Sequence, residues 1–183
     1  MTRINRDFNP DLEVKAIRAI REGDVSFLEQ IFLIRKELDI LYISEKEKWN
    51  WLHMGLFLCK EEDLIAPSIE FLIENHVAAN LQDIYGMTPL HYALEGDNIE
   101  GAIILLKAGA NPNLPNKRGI TPLSYINGFP ERLDLLQLML DNGGDVDFFT
   151  GQHRILEGIK KYRSQDPRFK PVIELMEKYS KVK

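Results

Sequence analysis

The stretch that decides the fold is DIYGMTPLHYA at residues 83–93, and it returns 33 positions later as NKRGITPLSYI at residues 116–126. Each copy holds the components of a tight turn that leads into a helix. Gly86 permits a positive φ in the turn, the Thr88 hydroxyl can accept from the first free N–H groups of the helix, and Pro89 suits the first helical position. The sequence therefore encodes a turn and a short helix twice.

A repeat of this period and pattern resembles the ankyrin repeat. The resemblance implies an all-α solenoid of stacked helix-turn-helix units with short β-type turns, in which neighbouring units hold each other in place. The register is clean over the segments HVAAN at 76–80, GANPN at 109–113 and GGDVD at 143–147, which align at intervals of 33 and 34 residues. The longer interval indicates one inserted residue, which we place near 128–130.

The whole chain is interpreted as one domain with divergent caps at both ends. It divides into an N-terminal cap at 1–44, a degenerate repeat at 45–79, full repeats at 80–113 and 114–147, and a C-terminal cap at 148–183. In the degenerate repeat, Leu52 lies 38 residues before Leu90, so five residues are inserted. We place this insertion at 59–67, as a lengthened connection before a helix that Ser68 caps.

Apolar residues at spacings of three and four predict helices between the turns. Most are shorter than about 12 residues and would be marginal alone, so stacking between units must hold them. Predicted helices cover 12–22, 25–34, 68–75, 90–95, 99–107, 123–127, 131–141 and 171–181. The expected core includes Leu52, Leu90, Leu105, Leu106, Leu123 and Leu140.

The charge of the chain is unevenly distributed. Its net charge is −5, but residues 61–153 carry four basic and fourteen acidic side chains, whereas residues 154–183 carry nine basic and four acidic ones. An acidic middle disfavours nucleic acid as a ligand and favours a basic protein partner. A solvated acidic exterior would give the same composition, and the basic C-terminal cap leaves a nucleic-acid role as a minor alternative.

Composition also indicates in which cellular compartment the protein is expected. The chain is 44% hydrophobic and 28% charged, which is ordinary for a globular protein in water. No run of 18 apolar residues occurs, and the first ten residues contain no apolar segment of a signal peptide. We therefore expect no membrane segment and a cytoplasmic protein, monomeric by itself, unless it is exported by a route that the sequence does not reveal.

Few residues have the pattern of a catalytic or metal site. Cys59 is the single cysteine, which excludes an intrachain disulfide and a Cys-rich zinc site. Of the four histidines, His91 matches the ankyrin histidine that is expected to hydrogen-bond within its turn, and His53 is expected to repeat that role. We expect no enzyme activity, no cofactor, no metal and no small-molecule substrate. A cryptic enzyme that uses His53 or His153 with the acidic run at 61–63 is the alternative.

The resemblance implies where a partner would bind. In ankyrin repeats the turn tips and the first helices line a concave groove that binds proteins. Tyr92 and Tyr125 occupy equivalent positions and are expected to form a row along the first helices, while Phe148 and Phe149 either contact the partner or cover the C-terminal cap. Carried onto this chain, the partner-binding positions are Trp49, Ile84, Tyr85, Met87, Tyr92, Glu95, Lys117, Arg118, Ile120, Tyr125, Phe148 and Phe149.

These features predict a non-enzymatic protein-interaction module. A more specific alternative is an immunity or inhibitor protein that neutralises a basic toxin or enzyme domain. The small size and the acidic middle of the chain motivate that alternative, but an adaptor protein would share both properties.

Overall fold

A computed structural model describes residues 10–57, 59 and 62–182 of the chain. Over these residues the architecture is all-α, and the only β-type pairing is an isolated bridge between Phe149 and Arg154. The first nine residues of the predicted N-terminal cap, two residues of the predicted insertion and the last residue lie outside the described part.

The helices follow one another in pairs along the chain. Two segments are not α-helical: α2 continues as a π-helical turn, and a 3-10 helix precedes α7. The helices are α1 (Pro10–Glu22), α2 (Val25–Glu29) with its π-helical turn (Gln30–Ile34), α3 (Trp51–Leu56), α4 (Glu62–Glu74), α5 (Pro89–Glu95), α6 (Ile99–Lys107), the 3-10 helix (Pro122–Gly128), α7 (Leu133–Asp141), α8 (Ile155–Arg163) and α9 (Phe169–Glu177).

The start of α5 confirms the predicted cap. The Thr88 hydroxyl accepts from the His91 N–H, while His91 Nδ1 accepts from the Thr88 N–H at 3.0 Å, so two free donors are satisfied reciprocally. Asn50 and His53 form the same capping box at the start of α3. Trp51 takes the place that proline holds in α5, and its indole N–H donates to the Asp39 carbonyl at 2.9 Å.

Positive φ angles occur at the turn positions that the repeat predicts. Gly86 and Gly119 both have a φ of 76° in the turns. The residues after the second helices are left-handed as well: Gly109 has φ 85°, Gly143 has φ 81°, and His76 has φ 66° in the degenerate repeat. Histidine at this position is strained relative to glycine because its Cβ crowds the backbone.

The units stack in two layers. The first helices α3 and α5 and the 3-10 helix pack against one another in sequence, and the second helices α4, α6 and α7 form the other row. Helices α1 and α2 cover α3 and α4 at one end, and α9 covers α7 at the other. The six predicted core leucines, Leu52, Leu90, Leu105, Leu106, Leu123 and Leu140, are all buried between the layers.

The predicted insertion at 59–67 is largely helical, which corrects its assignment as a lengthened connection. Helix α4 begins at Glu62 and has 13 residues, whereas its counterpart α6 has nine. Ser68 is therefore a fully buried residue inside the helix and does not cap it. The extra turn keeps Ile65 and Ile69 in the core, and this burial overcomes the low helical preference of Pro67.

Two other helices differ from the prediction. Residues 122–128 form a 3-10 helix where an α-helix was expected, and the connection to Leu133 is one residue longer than the connection from α5 to α6. The inserted residue near 128–130 therefore lies in this connection. Helix α9 runs from Phe169 to Glu177, whereas 171–181 was predicted. It begins two residues earlier because Phe169 packs into the core and Pro171 is tolerated in a first helical turn.

Candidate functional site

The turns before the first helices form closed, hydrogen-bonded tips. In one tip the Asp83 N–H donates to the Met87 carbonyl at 2.9 Å, and in the next the Asn116 N–H donates to the Ile120 carbonyl at 2.9 Å. The degenerate repeat has a tip one residue longer, closed by a bond from the Ser44 N–H to the Trp49 carbonyl. The tips are therefore rigid although they lie at the surface.

Neighbouring tips are joined backbone to backbone. The Ile84 N–H donates to the Glu47 carbonyl at 3.1 Å, and the Lys117 N–H donates to the Tyr85 carbonyl at 2.9 Å. We call the surface formed by the tips, the adjoining first helices and the 3-10 helix the inner face. Its backbone is fixed by these bonds, so side chains on it are presented at defined positions.

Asp83 holds the central tip together. One carboxylate oxygen accepts from the N–H groups of Tyr85 and Met87, both at 2.8 Å, and the other accepts from the Trp49 indole at 3.0 Å and the Tyr92 hydroxyl at 2.7 Å. Burial of the carboxyl group opposes ionisation, but these hydrogen bonds outweigh it and keep the pKa of Asp83 below its usual value.

Our sequence prediction did not include Asp83 among the functional positions. The signal available was its alignment with Asn116, whose side-chain oxygen accepts from the N–H groups of Arg118 and Ile120 in the next tip. Both residue types satisfy their own turn in this way. Asp83 is therefore a positioning residue for the tip, and its carboxylate is fully engaged in the fold.

Two predicted contact residues lie inside the protein, which corrects their assignment to the binding surface. Met87 and Tyr92 are each only 7% exposed. The Tyr92 ring packs against Trp49 at 5.7 Å and Phe57 at 5.7 Å, and its hydroxyl is bound to Asp83. Tyr92 therefore belongs to an aromatic cluster between two repeats, because the Leu-His-Tyr sequence places it between the tip and the preceding helix.

The predicted tyrosine row also changes. Tyr92 has its ring 5.8 Å from that of His53, and Tyr125 has its ring 6.1 Å from that of His91. Each tyrosine thus packs edge-to-face against the histidine of the preceding unit, and of these four rings only that of Tyr125 is not buried. Burial of Tyr92, together with the Asp83 carboxylate, raises the pKa of the Tyr92 hydroxyl.

His53 and His91 connect consecutive repeats, as expected for a structural role. Because the Thr88 N–H donates to His91 Nδ1, the proton of the neutral ring is on Nε2, which donates to the Ile120 carbonyl at 3.1 Å. His53 Nε2 lies 3.2 Å from the Met87 carbonyl in the equivalent arrangement. Burial lowers the pKa of both rings, that of His53 to about 4, so both are neutral at pH 7.

Four of the predicted contact residues converge on an open pocket between α5 and the 3-10 helix. Glu95, Asp97 and Arg118 are its charged lining residues. Burial and the Glu95 carboxylate raise the pKa of the Tyr125 hydroxyl, whereas Arg118 opposes that shift. The pocket has a volume of about 400 Å³ and is lined by Leu94, Glu95, Asp97, Arg118, Ile120, Ser124, Tyr125, Asn127, Gly128 and Phe129.

The remaining predicted positions are spread along the chain. Tyr85 is 59% exposed at the central tip, with Lys117 exposed and Ile84 half-buried beside it. Trp49 is half-buried in the aromatic cluster. Phe148 packs against the core, but Phe149 is 61% exposed, so only the first covers the C-terminal cap.

The alternative site at His153 is a surface cluster. His153 Nε2 lies 3.0 Å from the Tyr162 hydroxyl, and Nδ1 lies 3.8 Å from a carboxylate oxygen of Glu157. The side chains of the acidic run at 61–63 lie outside the described part. No group of three or more His, Cys, Asp or Glu side chains arranged to hold a metal ion occurs where side chains are described. None of the described helices is long and apolar enough to span a membrane.

Comparison with known proteins agrees with this geometry. Residues 72–126 match the family model of ankyrin repeats (many copies). The chain is 42% identical over 55 residues to human neurogenic locus notch homolog protein 1, covering 30% of this chain and 2% of that protein. It is 38% identical over 64 residues to a putative ankyrin repeat protein of Acanthamoeba polyphaga mimivirus, covering 35% and 15%.

A putative ankyrin repeat protein of Rickettsia bellii is 38% identical over 92 residues, which is 46% of this chain and 55% of that protein. The chain thus covers less than two thirds of each of these relatives. The matched segment contains the Thr88 capping box, the Gly86 and Gly119 turns and the stacked helices α5 and α6. Sequence register and folded geometry agree with this match, and residues 72–126 are ankyrin repeats.

Proposed function

We propose that this chain is a non-enzymatic module that binds a protein partner through its inner face. Ankyrin repeats are generally protein-interaction modules. The observation that supports the proposal here is the exposure of Tyr85, Lys117 and Arg118 on tips whose backbone is fixed. None of these three side chains forms a hydrogen bond or an ion pair with another described residue.

Such residues suit a binding surface on energetic grounds. Tyrosine buries a large area with few rotatable bonds, and tyrosine and arginine dominate the binding energy of many protein interfaces. A rigid tip reduces the entropy that is lost when a partner binds. The inner face therefore combines exposed anchor side chains with a pre-organised backbone.

The charge distribution of the chain is a less direct guide to the chemistry of the partner than the exposed tip residues are to the binding surface. Several acidic residues of the middle segment lie on the second helices, where Glu70, Glu74 and Glu100 are exposed. The charge of the inner face is mixed, because Arg118 lines the pocket together with Glu95 and Asp97. We propose a basic partner that the overall acidity attracts from a distance, and inhibition of that partner is the more specific form of the proposal.

The absence of enzyme activity is supported by the engagement of the imidazoles. The rings of His53 and His91 are buried, and both ring nitrogens of each contact backbone atoms of the capping box or the next tip. A base in that setting has no access to a substrate.

Comparative capture tests the proposal. Immobilised wild-type protein, Tyr85→Ala and Arg118→Ala are incubated with a lysate of the native host, and bound proteins are quantified by mass spectrometry. We expect one partner that both variants retain poorly, with unchanged melting temperatures. Lys107→Ala, an exposed basic residue on the second helix α6, is the matched control and should retain it.

Equal retention by all four proteins would place the binding surface away from the inner face. The captured partner is then assayed with and without this chain. A partner whose own activity is unchanged on binding would reject the inhibitor form while leaving the interaction module in place.

A further inference from the structure

Two consecutive repeat interfaces can be compared position by position. In the first interface Phe57 lies five residues after Leu52 and faces Tyr92 of the next unit. In the second interface Glu95 lies five residues after Leu90 and faces Tyr125. The two interfaces thus differ at this position by the replacement of a phenylalanine with a glutamate.

The phenylalanine fills its interface. The Phe57 ring lies 4.9 Å from the Trp49 ring and 5.7 Å from the Tyr92 ring, with an edge-to-face angle of 86° to Tyr92. Edge-to-face packing of this kind is favourable beyond the area that it buries. As a result Tyr92 is only 7% exposed.

The glutamate leaves its interface open. Glu95 is exposed, Tyr125 is only half-buried, and the pocket of about 400 Å³ lies between them. We call it the Glu95–Tyr125 pocket. Leu94, Ile120 and Phe129 line it with apolar side chains.

The charged residues that line the pocket also affect which partner groups are favoured there. Glu95, Asp97 and Arg118 all line the pocket, so the carboxylates outnumber the cation, and neither of the two carboxylates forms an ion pair with another residue of 10–57, 59 or 62–182. A partner group that enters beside them is therefore favoured if it is positively charged.

We propose that the Glu95–Tyr125 pocket receives a phenylalanine side chain of the protein partner, with a neighbouring arginine or lysine against Glu95 and Asp97. The inserted ring takes the place beside Tyr125 that Phe57 holds beside Tyr92 in the preceding interface. This inference rests on the proposed function, because it specifies what part of a partner the inner face recognises.

Short peptides test the proposal without a known partner. The probe is acetyl-Gly-Arg-Phe-Gly-amide, and the comparison peptides carry Ala in place of Phe or Glu in place of Arg. Binding to the isotope-labelled full chain is followed by amide chemical shifts at millimolar peptide concentration. We expect shifts at Glu95, Ser124, Tyr125 and Phe129 with the Arg-Phe peptide.

The comparison peptides separate the two components. Loss of the buried ring should weaken binding about tenfold or more, and replacement of arginine by glutamate should weaken it about two- to fivefold, as for an exposed charge pair. Equal binding of the Ala peptide, or shifts confined to other parts of the surface, would overturn the proposal.

Two variants of the protein complete the test. Glu95→Phe should abolish binding, because the new ring fills the pocket as Phe57 does, with a melting temperature that is unchanged or higher. Glu95→Gln keeps the pocket open, and it should still prefer Phe over Ala while losing part of its preference for arginine. Glu70→Phe on α4 is the matched control and should bind as the wild type does.

A failure of the pocket assignment can be distinguished from a failure of the proposed function. Tyr85 does not line the pocket. If Tyr85→Ala still weakens capture of the native partner while the peptide leaves the pocket unperturbed, only the pocket assignment is wrong. If Tyr85→Ala and Arg118→Ala both retain the partner, the inner face itself is not the binding surface.

Discussion

The Tyr92 hydroxyl donates a hydrogen bond to the Asp83 carboxylate over 2.7 Å, and this bond connects the first helix of a repeat to its own tip. The same carboxylate oxygen accepts from the Trp49 indole of the preceding repeat. One buried carboxylate thus joins its own tip, the helix that follows it and the preceding repeat, whose Trp49 lies 34 residues earlier in the chain. The tip that presents Tyr85 depends on it.

Removal of the Tyr92 hydroxyl should destabilise the protein. Tyr92→Phe keeps the ring in the aromatic cluster but leaves Asp83 with one partner fewer. A lost hydrogen bond to a charged group costs about 1.5 to 3 kcal/mol of unfolding free energy, which urea denaturation measures. The matched control is Tyr125→Phe, since the Tyr125 hydroxyl forms no hydrogen bond within the described part of the chain and its loss should change stability little.

Stability should fall as the solution becomes acidic through the histidine range. His53 and His91 have lower pKa values in the folded protein, about 4 for His53, than the ordinary value of about 6.5 in the unfolded chain. The unfolded state therefore binds more protons between these values. The free energy of unfolding is retained above about pH 6.5 and decreases below it, by up to about 1.4 kcal/mol per pH unit for each ring.

The variant His91→Ser isolates this effect, because Ser124 occupies the same position in the next repeat with its hydroxyl 3.0 Å from that of Thr121. Its stability should be less steeply dependent on pH between about 6.5 and 5, where carboxylates remain ionised. An identical slope in wild type and variant would contradict a buried neutral His91. Asp83, whose pKa is lowered, adds its own loss of stability only near and below about pH 4.

Leu90 should be among the most sensitive core positions. It is fully buried at the second position of α5, between the two layers. Leu90→Ala should cost about 2 to 5 kcal/mol of unfolding free energy through lost transfer energy and the cavity that remains. Thermal and urea unfolding measure this, with Leu33→Ala, at a 40% exposed leucine, as the near-neutral comparison. An unchanged melt for Leu90→Ala would remove Leu90 from the core.

Two glycines with similar backbone angles should differ in their tolerance of alanine. Gly86 and Gly109 have φ values of 76° and 85°, so alanine is strained at both by about 1 to 2 kcal/mol. At Gly86 a Cβ would also lie 3.0 Å from the backbone of Asn116 in the next tip. At Gly109 no described atom lies within 4 Å of that position.

Gly86→Ala should therefore unfold at a lower urea concentration than Gly109→Ala. It should also broaden the amide signals of Lys117 and Arg118, because the bond between the tips is displaced. Equal destabilisation by the two substitutions would indicate that the tips are not held as closely as the geometry requires.

Local patterns were sufficient to predict much of the architecture. Gly86, Thr88, Pro89 and His91 define a turn, a cap and a helix start by their own covalent geometry and hydrogen-bonding capacity, and all four act as expected. The same applies to the helix at 99–107 and to the buried leucines. These features depend on contacts within a few residues or on the repeat period.

Pairwise packing between repeats was not predictable in this way. Tyr85, Met87 and Tyr92 all belong to the quoted stretch, yet Tyr85 is exposed while the other two are buried. For Tyr92 the deciding contacts come from Trp49 and Phe57, which lie more than thirty residues before it in the chain. A sequence of one repeat does not specify which side chain of its neighbour will cover it.

The sequence by itself determined that this chain is a stack of short turn-helix units, because turn chemistry and helix capping act locally. Only the tertiary structure decided which residues of those units face solvent and where the pocket opens, because burial depends on what the adjacent repeat supplies. Where the adjacent repeat supplies Phe57, Tyr92 is enclosed, and where it supplies Glu95, the space beside Tyr125 remains open. A change from an apolar ring to a charged, hydrated side chain is the physical reason for that difference.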